Sequence, residues 1–191
     1  AGNLTHDLRL NMSFSSVNDV CADGGGSAYV VASANGDGYV AKVTNGATNW
    51  GRSFATGTYG EGLGVACDEA GNVYVTGHER VNYGGELRPD LVVNKYSSTG
   101  TLLWAKQFGT QWAEIGTAIT CDAFGNVYVG GYTTGNFYST SYGDDDAFVL
   151  KLDAATGNVH WGLQFGTAEE DDVSGLACDA IGNVHFTGST D

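Results

Sequence analysis

Two acidic runs carry the densest oxygen donors in this 191-residue chain: Asp144-Asp145-Asp146 and Glu169-Glu170-Asp171-Asp172. Grouped carboxylates can hold Ca²⁺, which makes Asp144, Asp145, Glu169, Glu170, Asp171 and Asp172 candidate ligands. No Asp-x-Asp-x-Asp-Gly loop accompanies them, so a solvated acidic surface is the competing reading; no other cofactor is expected. Four cysteines, Cys21, Cys67, Cys121 and Cys178, could bridge or bind zinc. They form no Cys-x-x-Cys pair, and their long, regular spacing is unlike a zinc site. Their equivalent positions in a repeat put neighbours one structural unit apart, beyond the roughly 7 Å Cα reach of a disulfide. Buried free thiols, packing as small hydrophobes, are expected instead. The histidines are scattered. His160 and His185 fall at packing positions, His78 at the start of a loop and His6 near the N-terminus. No local nucleophile–base–orienter set can be assembled from these residues, so no enzymatic activity is expected.

The groups belong to a repeat. Trp50, Trp104 and Trp161 each precede a phenylalanine by four residues (Phe54, Phe108, Phe165). Each phenylalanine precedes a cysteine by thirteen (Cys67, Cys121, Cys178), and each of those cysteines precedes an asparagine by five (Asn72, Asn126, Asn183). A period of this length signals a repeat architecture. Each unit reads as four short strands rich in Val, Tyr and Phe. Strand a carries the cysteine (Gly62 to Asp68, Gly116 to Asp122, Val173 to Asp179). Strand b follows Gly-Asn (Val73 to Val75, Val127 to Val129, Val184 to Phe186). Strand c is Leu91 to Tyr96 and Ala147 to Leu152, and strand d is Leu102 to Phe108 and Val159 to Phe165. A more degenerate first unit gives Val17 to Ala22, Ala28 to Ala32, Gly38 to Val43 and Thr48 to Phe54. Runs such as Leu91-Val92-Val93 are apolar on both parities, which in antiparallel sheets requires cover on both faces. Stacked propeller blades provide it. The turns Asp68 to Asn72, Asp122 to Asn126 and Asp179 to Asn183 share one Asp-led pattern suited to hairpin closure. Asp37, Asp90 and Asp146 each stand five residues before a lysine (Lys42, Lys95, Lys151), read as structural. No segment holds a helical period.

The combined motif runs Asp122 to Gly130, Asp146 to Lys151 and Trp104 to Gly109. It resembles the SBBP repeat of surface β-propellers, over nearly the whole chain from about Phe14. The resemblance implies a bladed, usually extracellular module, often part of a larger surface protein, with no shared catalytic residues. The chain departs from that pattern at Gly24-Gly25-Gly26-Ser27 and in its recurrent cysteine. One β-propeller or propeller segment over 1–191 is expected, all-β, with units near 14–54, 55–108, 109–165 and an incomplete 166–191.

Composition narrows the partners. With a formal net charge of −14 and only eight Lys and Arg, the chain has no basic patch for nucleic acid or anionic membrane. No apolar run reaches the roughly 18 residues of a bilayer span. The sequons at Asn3 and Asn11 agree with secretion and glycosylation. About Asp7 to Phe14 reads as one further strand, and the last unit reads only as far as strand b. Three completions follow: the remainder of a longer chain, a ring closed by the N-terminal strand, or another copy, giving a dimer or filament. The expected function is therefore an extracellular structural or interaction module that assembles by strand complementation. The alternative is a propeller that binds glycan or a surface protein through its rim loops. The candidate rim residues are Tyr59, Tyr83, Trp112, Tyr132, Phe137, Tyr138 and Tyr142.

Overall fold

The computed structural model describes residues 14–55 and 57–190. The sequons at Asn3 and Asn11, His6 and most of the N-terminal strand expectation lie outside the described residues. The described chain is all-β, without helix.

Fourteen strands form three four-stranded antiparallel sheets and a final two-stranded one. The first sheet holds β1 (Ser16–Ala22), β2 (Ser27–Ala34), β3 (Asp37–Thr44) and β4 (Ala47–Phe54). The second holds β5 (Gly60–Cys67), β6 (Val73–Tyr83), β7 (Glu86–Tyr96) and β8 (Leu102–Phe108). The third holds β9 (Glu114–Cys121), β10 (Asn126–Thr133), β11 (Asp146–Asp153) and β12 (Val159–Phe165). The last pairs β13 (Gly175–Cys178) with β14 (Val184–Thr187). Within each sheet the strands follow chain order, the meander of a propeller blade.

The sheets stack in sequence: β5 lies against β1, β2 and β3, β9 against β5, β6 and β7, and β13 against β9. Among the described residues the row is open rather than closed into a ring. The core lies in the seams between blades. Tyr29, Val31 and Val40 of the first blade meet Val65, Val73, Val75 and Val92 of the second. Tyr74, Leu91 and Val93 meet Ile119, Val129, Phe148 and Leu150 of the third. A smaller cluster, Ala147, Val149 and Val173, joins the third blade to the last pair. Covering both faces of the middle strands is what their unbroken apolar runs required, and each fully buried Val or Leu contributes about 1.5–3 kcal/mol.

One segment differs from the sequence reading. His78 to Pro89 is a long hairpin rather than a loop, with β6 and β7 paired out to Tyr83↔Glu86. Gly84 and Gly85 take φ 70° and 111°, closing a two-residue turn that side-chain-bearing residues resist. β8 pairs with β7 only as far as Leu91, so Pro89 lies beyond the reach of that ladder and interrupts no bond to it. The corresponding stretch of the third blade, between Thr133 and Asp146, has no strand.

Candidate interaction site

Each blade is built around a buried tyrosine on its second strand. Tyr128 donates its hydroxyl to Asp122 Oδ2 at 3.1 Å. The same carboxylate accepts the backbone N–H groups of Phe124 and Asn126, each at 2.9 Å, and the Asn126 side-chain amide at 2.7 Å. Burial alone would raise the Asp122 carboxyl, but these hydrogen bonds hold it below its ordinary value. Desolvation and the Asp122 contact together push the Tyr128 hydroxyl up to about 12. Tyr74 repeats the arrangement on Asp68 at 3.0 Å, and Tyr29 does so on Asp23 at 3.3 Å. A lysine lies over each ring: Lys42 on Tyr29, Lys95 on Tyr74 and Lys151 on Tyr128, at 5.1, 5.1 and 5.4 Å. The fourth-strand tryptophan packs beside each ring, with centroids 6.0, 6.1 and 6.2 Å apart.

The tryptophans also join the blades. Trp50 Nε1 donates to Ser98 O of the second blade at 3.1 Å, and Trp104 Nε1 donates to Ala154 O of the third at 3.1 Å. Both carbonyls belong to the turn between strands three and four. Gly100 and Gly157 of those turns have φ 79° and 71°. A Cβ there would stand 2.7 Å from the Trp50 indole and 3.0 Å from that of Trp104. Arg52 Nε adds a bond to Gly100 O at 3.0 Å, and Lys106 Nζ one to Asn158 Oδ1 at 3.1 Å.

Among the described residues, the third seam carries the tryptophan but no such turn. Trp161 is 41% exposed and Leu163, at the position of Arg52 and Lys106, is 51% exposed. Phe186 of β14 stacks on Phe165 at 5.1 Å and is itself 47% exposed. Among the described residues no carbonyl receives the Trp161 indole. His185 and His160, expected to pack, are exposed instead. Among the described residues, β12 and β14 are edge strands of their sheets.

The rim residues do not converge on one patch. Tyr59 packs on Gly36 and under Arg80. Tyr83 donates to Asp90 at 2.9 Å, and Trp112 covers Gly135. Phe137 turns inward, edge-on to Phe148 at 5.3 Å, with Tyr138 beside it at 4.7 Å over Gly162. Tyr142 is exposed. The loop is pinned by Gln164, whose Oε1 accepts three successive backbone N–H groups, Phe137 to Ser139. Its amide donates to Asp146 at 2.6 Å. Gln107 donates to Asp90 at 2.7 Å in the same way. These glutamines escaped the sequence reading, although their equal spacing after Trp104 and Trp161 was the available signal.

Tyr132 joins Asp145, Glu170, Asp171, Asp172 and Ser189 around a cleft of about 250 Å³. Burial, then the neighbouring Glu170 and Asp144, raises the Asp145 carboxyl. Asp144 and Glu169 do not line this cleft. Among the described residues no group of three or more His, Cys, Asp or Glu side chains is arranged to hold a metal ion. The four thiols are free and stand at or near the ends of the first strands. Cys21 and Cys67 both pack against the core of the first seam, where the Cys67 neighbour raises the Cys21 thiol and the Cys21 neighbour lowers that of Cys67. Burial pushes Cys121 up to about 12. His78 lies inside β6, buried, with its Nδ1 unpartnered among the described residues.

Residues 103–138, from β8 into the loop after β10, match the family model of the SBBP β-propeller repeat. No curated protein matches the chain. A crystal structure of a Bacteroides caccae protein of unknown function is similar in fold. It aligns over 88% of this chain and 51% of its own, with TM-score 0.55 and 16% identity. A luciferin-regenerating enzyme aligns over 84% of this chain and 49% of its own, with TM-score 0.45 and 14% identity. The chain spans about half the length of both structures.

Proposed function

We propose that this chain, an array of β-propeller blades carrying the SBBP repeat, serves as a non-catalytic structural and interaction module of an extracellular or cell-surface assembly. It is completed by the remainder of a longer chain or by other copies. The observation that supports this reading is a half-exposed apolar stripe of Trp161, Leu163 and Phe186 at the last described seam, whereas the first two seams are covered. Open strand edges and exposed apolar stripes are surfaces that recruit further strands. Light scattering with small-angle X-ray scattering tests it. Association that grows with concentration, or completion by added flanking sequence, is the expected result; a compact, closed monomer would exclude the proposal.

The rim supports a second reading, binding of glycan or a surface protein through Trp112, Tyr138 and Tyr142, whose exposed rings suit such contacts. A calcium role for the acidic cleft belongs with it. Alanine substitution at Trp112 and Tyr138 that leaves binding to glycans and surface proteins unchanged would remove the rim. Absence of a calcium-dependent heat or melting shift would remove the cation.

A further inference from the structure

The blades differ in what covers the residue after the tryptophan. In the first blade that residue is Gly51, and a Cβ there would collide with the Tyr39 ring. In the third it is Gly162, and a Cβ would collide with the Tyr138 ring. In the second it is Ala105, which is exposed and lines an open pocket of about 350 Å³. The pocket lies in the first seam, between Phe54 of the first blade and Val92, Tyr96, Leu102, Ala105 and Gln107 of the second. Val92 stands two residues after Asp90, the place held by Tyr39 after Asp37 and by Phe148 after Asp146. A small side chain where the other blades carry a ring leaves this space open.

The third blade shows what such a space holds. Phe137 lies edge-on to Phe148 at 5.3 Å, with Tyr138 beside it at 4.7 Å. Gln164 gives its amide to Asp146 Oδ2 at 2.6 Å, so its Oε1 accepts the backbone N–H groups of Phe137, Tyr138 and Ser139 at 2.9, 2.9 and 3.2 Å. Gln107 is oriented in the same way by Asp90 Oδ2 at 2.7 Å. Among the described residues nothing donates to its Oε1, and Gln107 is exposed where Gln164 is buried. The connection that fills the space in the third blade is, in the second, the β6–β7 hairpin, which carries Tyr83 to Asp90 instead.

We propose that this pocket binds an aromatic residue of a partner polypeptide, its ring against Phe54, Val92 and Ala105 and its adjoining backbone N–H groups on Gln107 Oε1. The chemistry is that of Phe137 to Ser139, supplied by another chain. The volume is at the low end for a ligand pocket, which suits one or two side chains rather than a large cofactor. The site is separate from the Trp161 stripe and does not rest on the assembly reading above.

A dye-labelled peptide of residues 135–141 is the probe, titrated against the full chain by fluorescence anisotropy. Saturable binding is expected. Ala105→Leu occupies the pocket from an exposed position and should weaken binding about tenfold or more. Gln107→Met keeps the side chain's length, loses the acceptor and should weaken it about fivefold. Alanine in place of both Phe137 and Tyr138 in the peptide should abolish it. Leu103→Ser, exposed on the other face of β8, should leave it unchanged. Circular dichroism of each variant separates lost contact from lost fold, and light scattering reports association of the chain separately. Absence of saturable binding, affinity indifferent to Ala105→Leu and Gln107→Met, or equal binding of the doubly substituted peptide would overturn the proposal. An oligosaccharide that displaces the peptide and binds more tightly would also overturn it, by making the pocket a glycan site.

Discussion

At the scale of single residues, the aspartates that lead the shared turns are structural anchors. Asp122 accepts three short bonds within its own turn and a fourth from Tyr128. Asp122→Ala would leave the Tyr128 hydroxyl buried and unpaired, at a cost of about 3 kcal/mol; urea unfolding would measure it. Glu114 is fully buried, and desolvation raises its carboxyl from an ordinary 4.5. The folded state therefore prefers the protonated acid. Its stabilising contribution is full below the unfolded value and is lost as pH rises through the raised folded one. Glu114→Gln should flatten that decline, read as urea midpoints between about pH 4 and 7. The thiol pair gives a sharper contrast. Cys67, whose thiol its Cys21 neighbour lowers, should alkylate faster than Cys21, whose thiol is raised; mass spectrometry after brief iodoacetamide treatment would rank them.

At the scale of elements, the fourth strand holds one blade to the next. Trp104→Phe keeps the packing on Tyr74 but loses the bond to Ala154 O, and should cost about 1 kcal/mol with the fold intact, a difference thermal melting would resolve. Trp, Phe, Cys and Asn recur at fixed spacing, so blades, strand order and turns were legible in the chain. His78 to Pro89 was misread because its tip pairs beyond the buried sheet, where the short alternation of Val81, Tyr83 and Leu87 faces no core to mark register. Phe137 was misread because loop aromatics carry no periodicity to show which face they take. The tryptophan seam was hidden for a different reason. Its acceptor is a backbone carbonyl about fifty residues downstream, and no side-chain type records it.

At the scale of the whole molecule, stability is divided among neighbouring seams, as in other repeat architectures. The last pair buries little: Phe186 is 47% exposed, whereas Val127 and Val129 of β10 are fully buried. Hydrogen exchange should therefore be fastest in β13 and β14 and slowest in β10 and β11. Uniform protection across all strands would contradict this nearest-neighbour picture.

The direction of the tryptophan bond has one more consequence. The first and second blades each give a donor to the blade after them, and the second and third each give an acceptor to the blade before them. The two ends of such a row are unlike, and neither can bind its own kind by this contact. A two-fold axis through the seam is thereby forbidden, because it would set indole against indole and carbonyl against carbonyl. Any assembly that reuses the seam is polar. It has a plus end and a minus end, and it either rotates into a ring or travels along a screw.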